Sequence, residues 1–546
     1  MTNRLMDHLG EWNPQLVREL KGRLINRHGT LAVGISIVVQ LVIFLTFISQ
    51  LSAPDVPYGS YCLSQENGFC DVNWLLWGQG VNQVLYWILP LVLVTGGVYL
   101  LIADLAREER RGTLDFIRAS PQSSQSILIG KLLGVPVLVY LAVAIALPSY
   151  AITAMVAQIP LLEVLSFYVL LAALCALFYS AAALFALMGG HQAFIGAGIT
   201  LGMLWWLMYH EWSYYGKTRA SHQWFGFPLN GDNVFNVRLF ALVNCAIWTY
   251  WIWQGLHRRF RNPTATLISK KQSYAMVFCF NSLSIGLGTS YFYSDLALDL
   301  WFGNLFFIVT LNLFLCLGLI ATLSPPRQTL LDWAHYAHQA KGQSVLQDLI
   351  WGEKSPAPVA IALCATIAAF VFIPWVLLWP LEMLPKLQAI AAIGIYVILT
   401  AIYAVLVQIM LLLKSKKRAL WATGIVATAI FVPLLILDQL VPDTVPALYL
   451  FSLSSLMVLE IALCCGEQAI LGGPYTVPVL SLLSISSLTS LQIVAYSREQ
   501  AMTTPIFMAF LGHLAILAGL SLTLRQQLNL AGESATKALL MGRKVS

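Results

Sequence analysis

Long apolar runs, repeated along the whole chain, constrain the fold more than any other feature of this sequence. Each run can form a helix of about 20 residues, the length that crosses the hydrocarbon core of a bilayer. Hydrophobic residues make up 58% of the 546 residues and charged residues only 10%, whereas a soluble domain carries about 25% charged residues. Such an apolar surface cannot face water, so the sequence predicts an all-α polytopic membrane protein.

Apolar windows predict about fourteen transmembrane helices. The windows fall near residues 31–51, 84–104, 130–152, 162–186, 191–210, 236–255, 274–293, 300–322, 357–379, 388–412, 419–437, 445–465, 474–496 and 505–524. An even number of spans places the N-terminus and the C-terminus on the same side of the membrane.

The positions of lysine and arginine predict which side that is. Six segments contain 26 of the 31 basic residues, namely 1–30, 105–131, 256–273, 323–356, 414–418 and 525–546. The connections on the other side carry Lys217, Arg219, Arg238, Lys386 and Arg498. Because cytoplasmic connections collect Lys and Arg, we expect both termini in the cytoplasm.

Residues 1–30 are predicted to include an amphipathic interfacial helix rather than a signal peptide, since no short apolar core with a cleavage site occurs there. Asn13 can cap the helix and Pro14 suits its first position. One face would carry Leu16, Val17, Leu20 and Leu24, and the other Arg18, Glu19, Lys21 and Arg23. The pattern favours a helix in the headgroup plane, with a cytoplasmic extension of the first span as the alternative.

A charged stretch from Arg107 to Lys131, called here the polar segment, separates the second and third predicted spans. It contains four arginines and a lysine, and Ser120-Pro121 should break its helix. A connector of about 25 residues is longer than most links between helices. The segment therefore suggests a docking element for a cytoplasmic subunit, with a solvated basic loop as the alternative.

The chain lacks the motifs of an enzyme. Gly130-Lys131 is followed by Leu132, and the sequence contains no phosphate-binding Gly-x-x-x-x-Gly-Lys-Ser/Thr loop. No catalytic group, cofactor site or metal-ligand spacing was found. The net charge of +6 is explained by membrane topology, so nucleic acid is not an expected partner. Any work driven by ATP requires a separate subunit.

The motifs of the polar segment resemble a known signature. Glu108, Gly112-Thr113-Leu114-Asp115, Ser120-Pro121 and Gly130-Lys131 are similar to the signature of ABC-2-type ABC transporter permeases, and Arg110 stands where that family usually has a second acidic residue. The resemblance covers about residues 13–255 and implies a coupling helix that contacts a separate ABC ATPase. The contact residues it implies are Glu108, Arg111, Gly112, Thr113, Asp115, Pro121, Gly130 and Lys131.

The rest of the chain lies outside that resemblance. Residues 31–255 would form the six-span permease domain, 256–273 a basic cytoplasmic linker, 274–322 two further spans, 323–356 an amphipathic segment, 357–524 six more spans and 525–546 a cytoplasmic tail. In the amphipathic segment, Leu330, Trp333, Ala334 and Ala337 share a helical face opposite Asp332, His335 and His338. The C-terminal half could be a degenerate second permease repeat, with Lys414–Arg418 in the place of the coupling loop; the alternative is that this run only anchors the topology.

Two further predictions concern a pair of cysteines and two ionisable residues. Cys62 and Cys70 lie in the outside loop 54–82 and are expected to form a disulfide, with two free thiols as the alternative. Glu460 and His513 are the main ionisable groups inside predicted spans, and we interpret both as structural rather than as a proton relay.

The leading functional hypothesis is the membrane subunit of an ABC-2-like exporter, in a dimer or a pseudo-dimer of the two halves. The alternatives are an ATP-independent lipid or polysaccharide flippase, a secondary carrier, and a membrane scaffold. The scarcity of charge near the span centres argues against an ion-coupled carrier, while the transported substrate cannot be derived from the sequence.

Overall fold

The computed structural model describes residues 8–532 except for 25, 52–60, 67–68, 217–222, 230–233, 264, 289–296, 340–344, 379–382, 416 and 441–502. The described chain is mostly helical. It divides into two compact units, the first formed by Met1–Ser221 and Pro228–Ala265 and the second by His222–Phe227 and Thr266–Ser546. The division between Ala265 and Thr266 falls inside the basic linker 256–273.

Among the described residues, seven helices are long and apolar enough to cross a membrane: Arg27–Ser49, Trp74–Arg110, Val137–Val156, Leu161–Leu187, Pro358–Leu377, Ala389–Leu412 and Met508–Gly532. Three shorter apolar helical stretches are Ala193–Met208, Leu311–Leu323 and Arg418–Ile430. The helical class is confirmed, and the apolar helices are compatible with a multi-pass membrane protein. The count of fourteen spans and their orientation stay predictions, and the windows 445–465 and 474–496 lie outside the described residues.

Besides the helical residues 8–12, the first unit contains ten helices in its described part. They are α1 (Pro14–Arg23), α2 (Asn26–Ser49), α3 (Trp74–Pro90), α4 (Gly96–Arg110), α5 (Thr113–Arg118), α6 (Ser124–Gly134), α7 (Val137–Val156), α8 (Leu161–Leu187), α9 (Ala193–Gly216) and α10 (Val234–Arg261). Strands β1 (Cys62–Glu66) and β2 (Phe69–Val72) form an antiparallel hairpin between α2 and α3.

A π turn, Leu91–Thr95, joins α3 and α4 into one continuous helical rod. Such a turn frees a backbone carbonyl from the regular ladder, and the Tyr179 hydroxyl of α8 donates to the Leu93 carbonyl at 2.7 Å. Gly97 makes room for this tyrosine, because a Cβ at that position would collide with its ring. The π turn is thereby held inside the core that α3 and α4 form with α7 and α8.

The third predicted span differs from the structure in its start. The window 130–152 was expected to be one helix, but α6 ends at Gly134 and α7 begins at Val137. Pro136 lies between them, and a proline inside a helix removes a hydrogen bond and clashes with the preceding turn. As a result, residues 130–134 belong to a separate helix that packs on α1.

The second unit contains two short strands and eight helices in its described part, apart from Pro228, which falls in the first unit. They are β3 (Gln223–Trp224), β4 (Phe227–Pro228), α11 (Lys270–Gly288), α12 (Ala297–Leu323), α13 (Arg327–Gln339), α14 (Val345–Trp351), α15 (Pro358–Leu377), α16 (Met383–Leu412), α17 (Arg418–Leu440) and α18 (Thr503–Gly532).

The predicted amphipathic helix of this unit is α13. Leu330 and Ala334 are buried while Asp332 and His335 are exposed, so the expected division of faces is confirmed for these residues. Helix α13 packs against α18, and the ring Nδ1 of His335 lies 3.2 Å from the Gly532 carbonyl. The His338 side chain lies outside the described part.

Lys270, the first residue of α11, is buried in the second unit. Its ammonium donates to the Leu349 carbonyl at 2.7 Å, to Ser355 Oγ at 2.6 Å and to the Pro356 carbonyl at 3.1 Å. All three acceptors are neutral. Burial lowers the Lys270 pKa to about 8, and the nearby Asp348 carboxylate opposes the shift. The lysine thus ties the start of α11 to α14 and to the segment that follows α14.

Of the residues in the two remaining predictions, the structure describes the side chain of His513 but not those of Glu460, Cys62 and Cys70. His513 is buried and its Nδ1 lies 2.7 Å from the Ala509 carbonyl, which can accept the ring proton; a satisfied structural histidine fits this geometry. Glu460 lies outside the described residues. In the β1–β2 hairpin, the backbone of Cys62 pairs with Val72 and that of Cys70 with Gln65, while both cysteine side chains are outside the described part, so their disulfide stays a prediction.

Candidate functional site

Helix α1 begins where its sequence predicts. Asn13 Oδ1 accepts a hydrogen bond from the Leu16 backbone N–H at 3.0 Å, which caps the helix. Its Nδ2 also donates to the Ser126 carbonyl at 2.8 Å. One asparagine therefore starts α1 and binds it to α6, across 113 positions of sequence.

Two glycines of α6 allow α1 to pack closely against it. A Cβ at Gly130 would lie 2.8 Å from Asn13 Oδ1 and 2.9 Å from the Leu16 nitrogen, and one at Gly134 would lie 2.5 Å from Glu19 Cβ. Real Cβ atoms do not approach neighbours so closely, so any side chain here would push the helices apart. The spacing of four residues puts both glycines on one face of α6, as in membrane helix pairs joined by small residues.

The buried side chain of Lys131 lies beside this contact. Its Nζ is 2.8 Å from Glu19 Oε1, 2.7 Å from Asp104 Oδ2 and 2.6 Å from Glu108 Oε1. Only 4% of the lysine side chain is exposed. Asp104 and Glu108 are one turn apart on α4, so three helices, α1, α4 and α6, meet at a single ammonium group.

Two arginines of α1 complete this group, called here the ionic cluster: Arg18, Glu19, Arg23, Asp104, Glu108 and Lys131. Arg18 lies 3.2 Å from Glu108, and Arg23 lies 3.2 Å from Glu19 and 2.5 Å from Asp104. The cluster contains three cations and three carboxylates, so its charges balance. Surrounding carboxylates raise the Lys131 pKa although burial opposes them, and the lysine stays charged at neutral pH.

The three carboxylates could by themselves hold a divalent cation, because one oxygen of each lies within 4.8 Å of the others. Acidic oxygens are the ligands that such cations prefer. In this arrangement the Lys131 ammonium already lies among them at hydrogen-bond distance. The three carboxylates and Lys131 therefore form a structural group of ion pairs that joins three helices.

Helix α5 begins at a glycine that the backbone requires. Gly112 has φ +70°, a left-handed conformation that costs side chains with a Cβ about 1 kcal/mol. The contact with an ATPase that the resemblance implies for Gly112 stays a prediction, and nothing in the described chain lies within 4 Å of a Cβ built at this glycine. Its role is to turn the chain between α4 and α5.

Helix α5 presents one apolar face to the protein and another away from it. Leu114 and Ile117 are buried in the core of the first unit. Phe116, on the opposite side, is 81% exposed, and Asp115 beside it is also exposed. A single exposed apolar residue is common on protein surfaces, so Phe116 is notable for its position, on the helix where the resemblance implies the ATPase contact.

Helix α10 supports the middle of the polar segment, at the end of α5 and the start of α6. The Arg118 guanidinium lies 5.6 Å from the Phe260 ring centroid, a distance at which cation–π attraction acts. Ser124 Oγ lies 3.0 Å from His257 Nδ1 and accepts from Arg261 Nε at 3.3 Å. Burial and then the Arg261 charge lower the His257 pKa, so the imidazole is neutral at pH 7.

The residues implied as ATPase contacts fall into two groups. Arg111, Gly112, Thr113, Asp115 and Pro121 are exposed, and the structure brings them together around α5. Glu108, Gly130 and Lys131 instead bind other parts of the first unit through the ionic cluster and the α1–α6 contact. These three residues therefore already make contacts within the chain.

Sequence reasoning missed three residues. Glu19 was placed on the solvent face of α1, but it is buried and pairs with Lys131, so that assignment is wrong. Asp104 and Phe116 were not singled out at all. One signal could have found the cluster: a lysine at the edge of an apolar run requires partners, and Asp104 and Glu108 have the spacing of one helical turn.

No protein-family model, curated protein or solved structure matches the chain. The likeness to ABC-2-type permeases therefore depends on the short motifs of the polar segment and on the order of helices around them.

Proposed function

We propose that this protein is the membrane-spanning permease subunit of an ABC-2-like exporter in a bacterial inner membrane, and that a separate ABC ATPase docks on α5. The observation that carries the proposal is the exposed Phe116, presented by a short helix with a buried opposite face. The ATP-binding loop that the chain lacks would be supplied by the partner. The substrate would move outward through the membrane domain.

The ionic cluster supports this proposal mechanically. A force applied to α5 would reach α4 and α6, the helices on either side of it, and Lys131 joins both of them to α1. Breaking a buried pair by removing one partner costs about 3–5 kcal/mol, so the three helices should move together. A loop that merely connected two spans would not need such a junction.

The test is copurification of the ATPase with the full-length chain from its native membrane. Phe116→Asp should release the ATPase without changing the amount of protein in the membrane, because it alters only an exposed side chain. Leu346→Asp is the matched control, since Leu346 is an exposed apolar residue on the short helix α14. Glu108→Lys is a poorer test, because it would also disrupt the ionic cluster.

Two results would contradict the proposal. An ATPase that remains bound to Phe116→Asp as it does to the wild type would exclude α5 as the docking helix. A wild-type chain that copurifies with no ATPase would favour the ATP-independent flippase or carrier.

A further inference from the structure

The first unit contains a pair of arginines, Arg118 of α5 and Arg259 of α10, that their own acidic neighbours do not neutralise. Arg118 lies over the ring of Phe260, the residue next to Arg259. Burial lowers the Arg259 pKa and the Arg118 guanidinium lowers it further, with Glu109 acting in the opposite direction. The two like charges therefore repel each other in a half-buried place, which is unfavourable unless an anion joins them.

The nearby acidic residues do not neutralise the charges of both arginines. Asp115 binds Arg118 at 2.8 Å, but the Asp115 side chain is 82% exposed, where such pairs contribute little. Glu109 lies 3.6 Å from His191. Among the described residues, no carboxylate forms an ion pair with Arg259, which donates to the carbonyls of Leu187 and Pro263.

One donor of the pair is buried without an acceptor. No hydrogen-bond acceptor from the described part of the chain reaches Arg118 Nε, although this atom is shielded from solvent. Leaving a buried charged donor without an acceptor is unfavourable, because the group has lost its hydration. The free N–H groups of a guanidinium form a fork that matches the oxygens of a phosphate.

The position of the pair indicates where such a phosphate comes from. Arg259 Nε donates at 3.3 Å to the carbonyl of Leu187, the last residue of α8, and α8 is one of the helices long enough to cross a membrane. The end of a membrane-spanning helix lies at the level of the lipid headgroups. The pair therefore lies at the depth of lipid phosphates.

Exposed apolar side chains occur near the same end of α8. Phe185, Met188 and Phe194, at the end of α8 and the start of α9, are exposed large hydrophobic residues. A lipid could place its acyl chains along these residues and its phosphate between the arginines. A free phosphate or an acidic peptide would leave that apolar surface uncovered.

We propose that Arg118 and Arg259 form a binding site for the phosphate of an anionic phospholipid, at the junction of α5, α10 and the end of α8. The lipid would link the short helix α5 to the membrane surface. This site is independent of the proposed exporter function, because it requires only the first unit and a lipid bilayer.

The test is lipid retention by the purified full-length chain in detergent, measured by native mass spectrometry after incubation with phosphatidylglycerol or with phosphatidylcholine. The wild type should retain phosphatidylglycerol preferentially, and Arg118→Gln with Arg259→Gln should reduce its affinity about tenfold, which corresponds to about 1.4 kcal/mol. Arg107→Gln with Arg110→Gln is the matched control, since it removes two exposed arginines and the same charge. The control should retain phosphatidylglycerol as the wild type does.

A second pair of variants covers the case in which the glutamine variant does not fold. Arg118→Lys with Arg259→Lys keeps both charges but lacks the forked donors, so it should retain less phosphatidylglycerol than the wild type. Equal retention by either site variant and the wild type would overturn the proposal, as would equal retention of the two lipids by the wild type. Displacement of phosphatidylglycerol by an equal concentration of inorganic phosphate would assign the site to free phosphate and overturn the lipid assignment.

Discussion

Replacing Lys131 by methionine should destabilise the first unit more than any other single charge removal at the α1–α6 junction. The ammonium lies 2.8, 2.7 and 2.6 Å from three carboxylates. Without the Lys131 ammonium, only the two positive charges of Arg18 and Arg23 would remain to balance three carboxylates. The substitution fits the volume of the lysine stem, so the loss is mainly electrostatic.

The expected magnitude follows from the burial of the cluster. Removing one partner of a buried ion pair costs about 3–5 kcal/mol, and here the side chains of Glu19, Asp104 and Glu108 are 9%, 14% and 15% exposed. For a unit of this size, about 1 kcal/mol shifts the unfolding midpoint by roughly 2–4 °C. We therefore expect a fall of about 10 °C.

Thermal unfolding of the detergent-solubilised chain, followed by tryptophan fluorescence, measures this shift. Lys21→Met is the control, because Lys21 is an exposed lysine on α1 and its loss should change stability by less than about 0.5 kcal/mol. Adding Glu108→Gln to Lys131→Met restores two cations against two carboxylates and should recover part of the loss. Equal midpoints for Lys131→Met and Lys21→Met, or a double variant less stable than Lys131→Met alone, would refute the reasoning.

Three further predictions concern other parts of the chain. Gly134→Ala should separate α1 from α6 and expose α1 to trypsin, whereas Gly198→Ala, where nothing lies within 4 Å of a Cβ, should not; equal cleavage rates would contradict the packing. Lys270 has a folded pKa of about 8, below its ordinary value, so the unfolded chain binds its proton more tightly and stability should rise by about 3 kcal/mol from pH 8 to pH 10.5; the rise should be absent in Lys270→Met, and an equal slope in that variant would exclude the lysine as its source. Cys62 and Cys70 should appear in non-reducing mass spectrometry as one peptide two hydrogens lighter than its reduced form, and alkylation of both thiols without a reductant would show that no bridge exists.

Local signals in the sequence predict local structure well here. Asn13 and Pro14 place the start of α1, because capping and the fixed φ of proline act within one helical turn. The break at Ser120-Pro121 is also foreseen, since α5 ends at Arg118 and α6 begins at Ser124, whereas the earlier turn at Gly112 is not. Both features depend only on neighbouring residues.

The partner of α1 could not be predicted in the same way. Helical spacing places Glu19 beside Arg18 and Arg23, which is typical of a solvated face. Its burial depends on Lys131, more than a hundred positions away, and on two glycines of α6 that bring the helices together. A periodicity within one helix contains no information about a charge that a distant helix supplies.

The π turn between α3 and α4 sets the direction in which the side chains of α4 point. Each residue of an α-helix advances the direction of its side chain by about 100°, and a π turn contains one extra residue. Because the π turn takes up this residue, a regular helix with one residue fewer in Leu91–Thr95 would keep Asp104 and Glu108 in their present direction relative to Asn82, which Tyr150 and Thr153 hold in the first part of the rod. A regular helix formed without a deletion would instead rotate both acids by about 100°, away from Lys131. The ionic cluster therefore depends on the π turn as much as on the identity of its own residues.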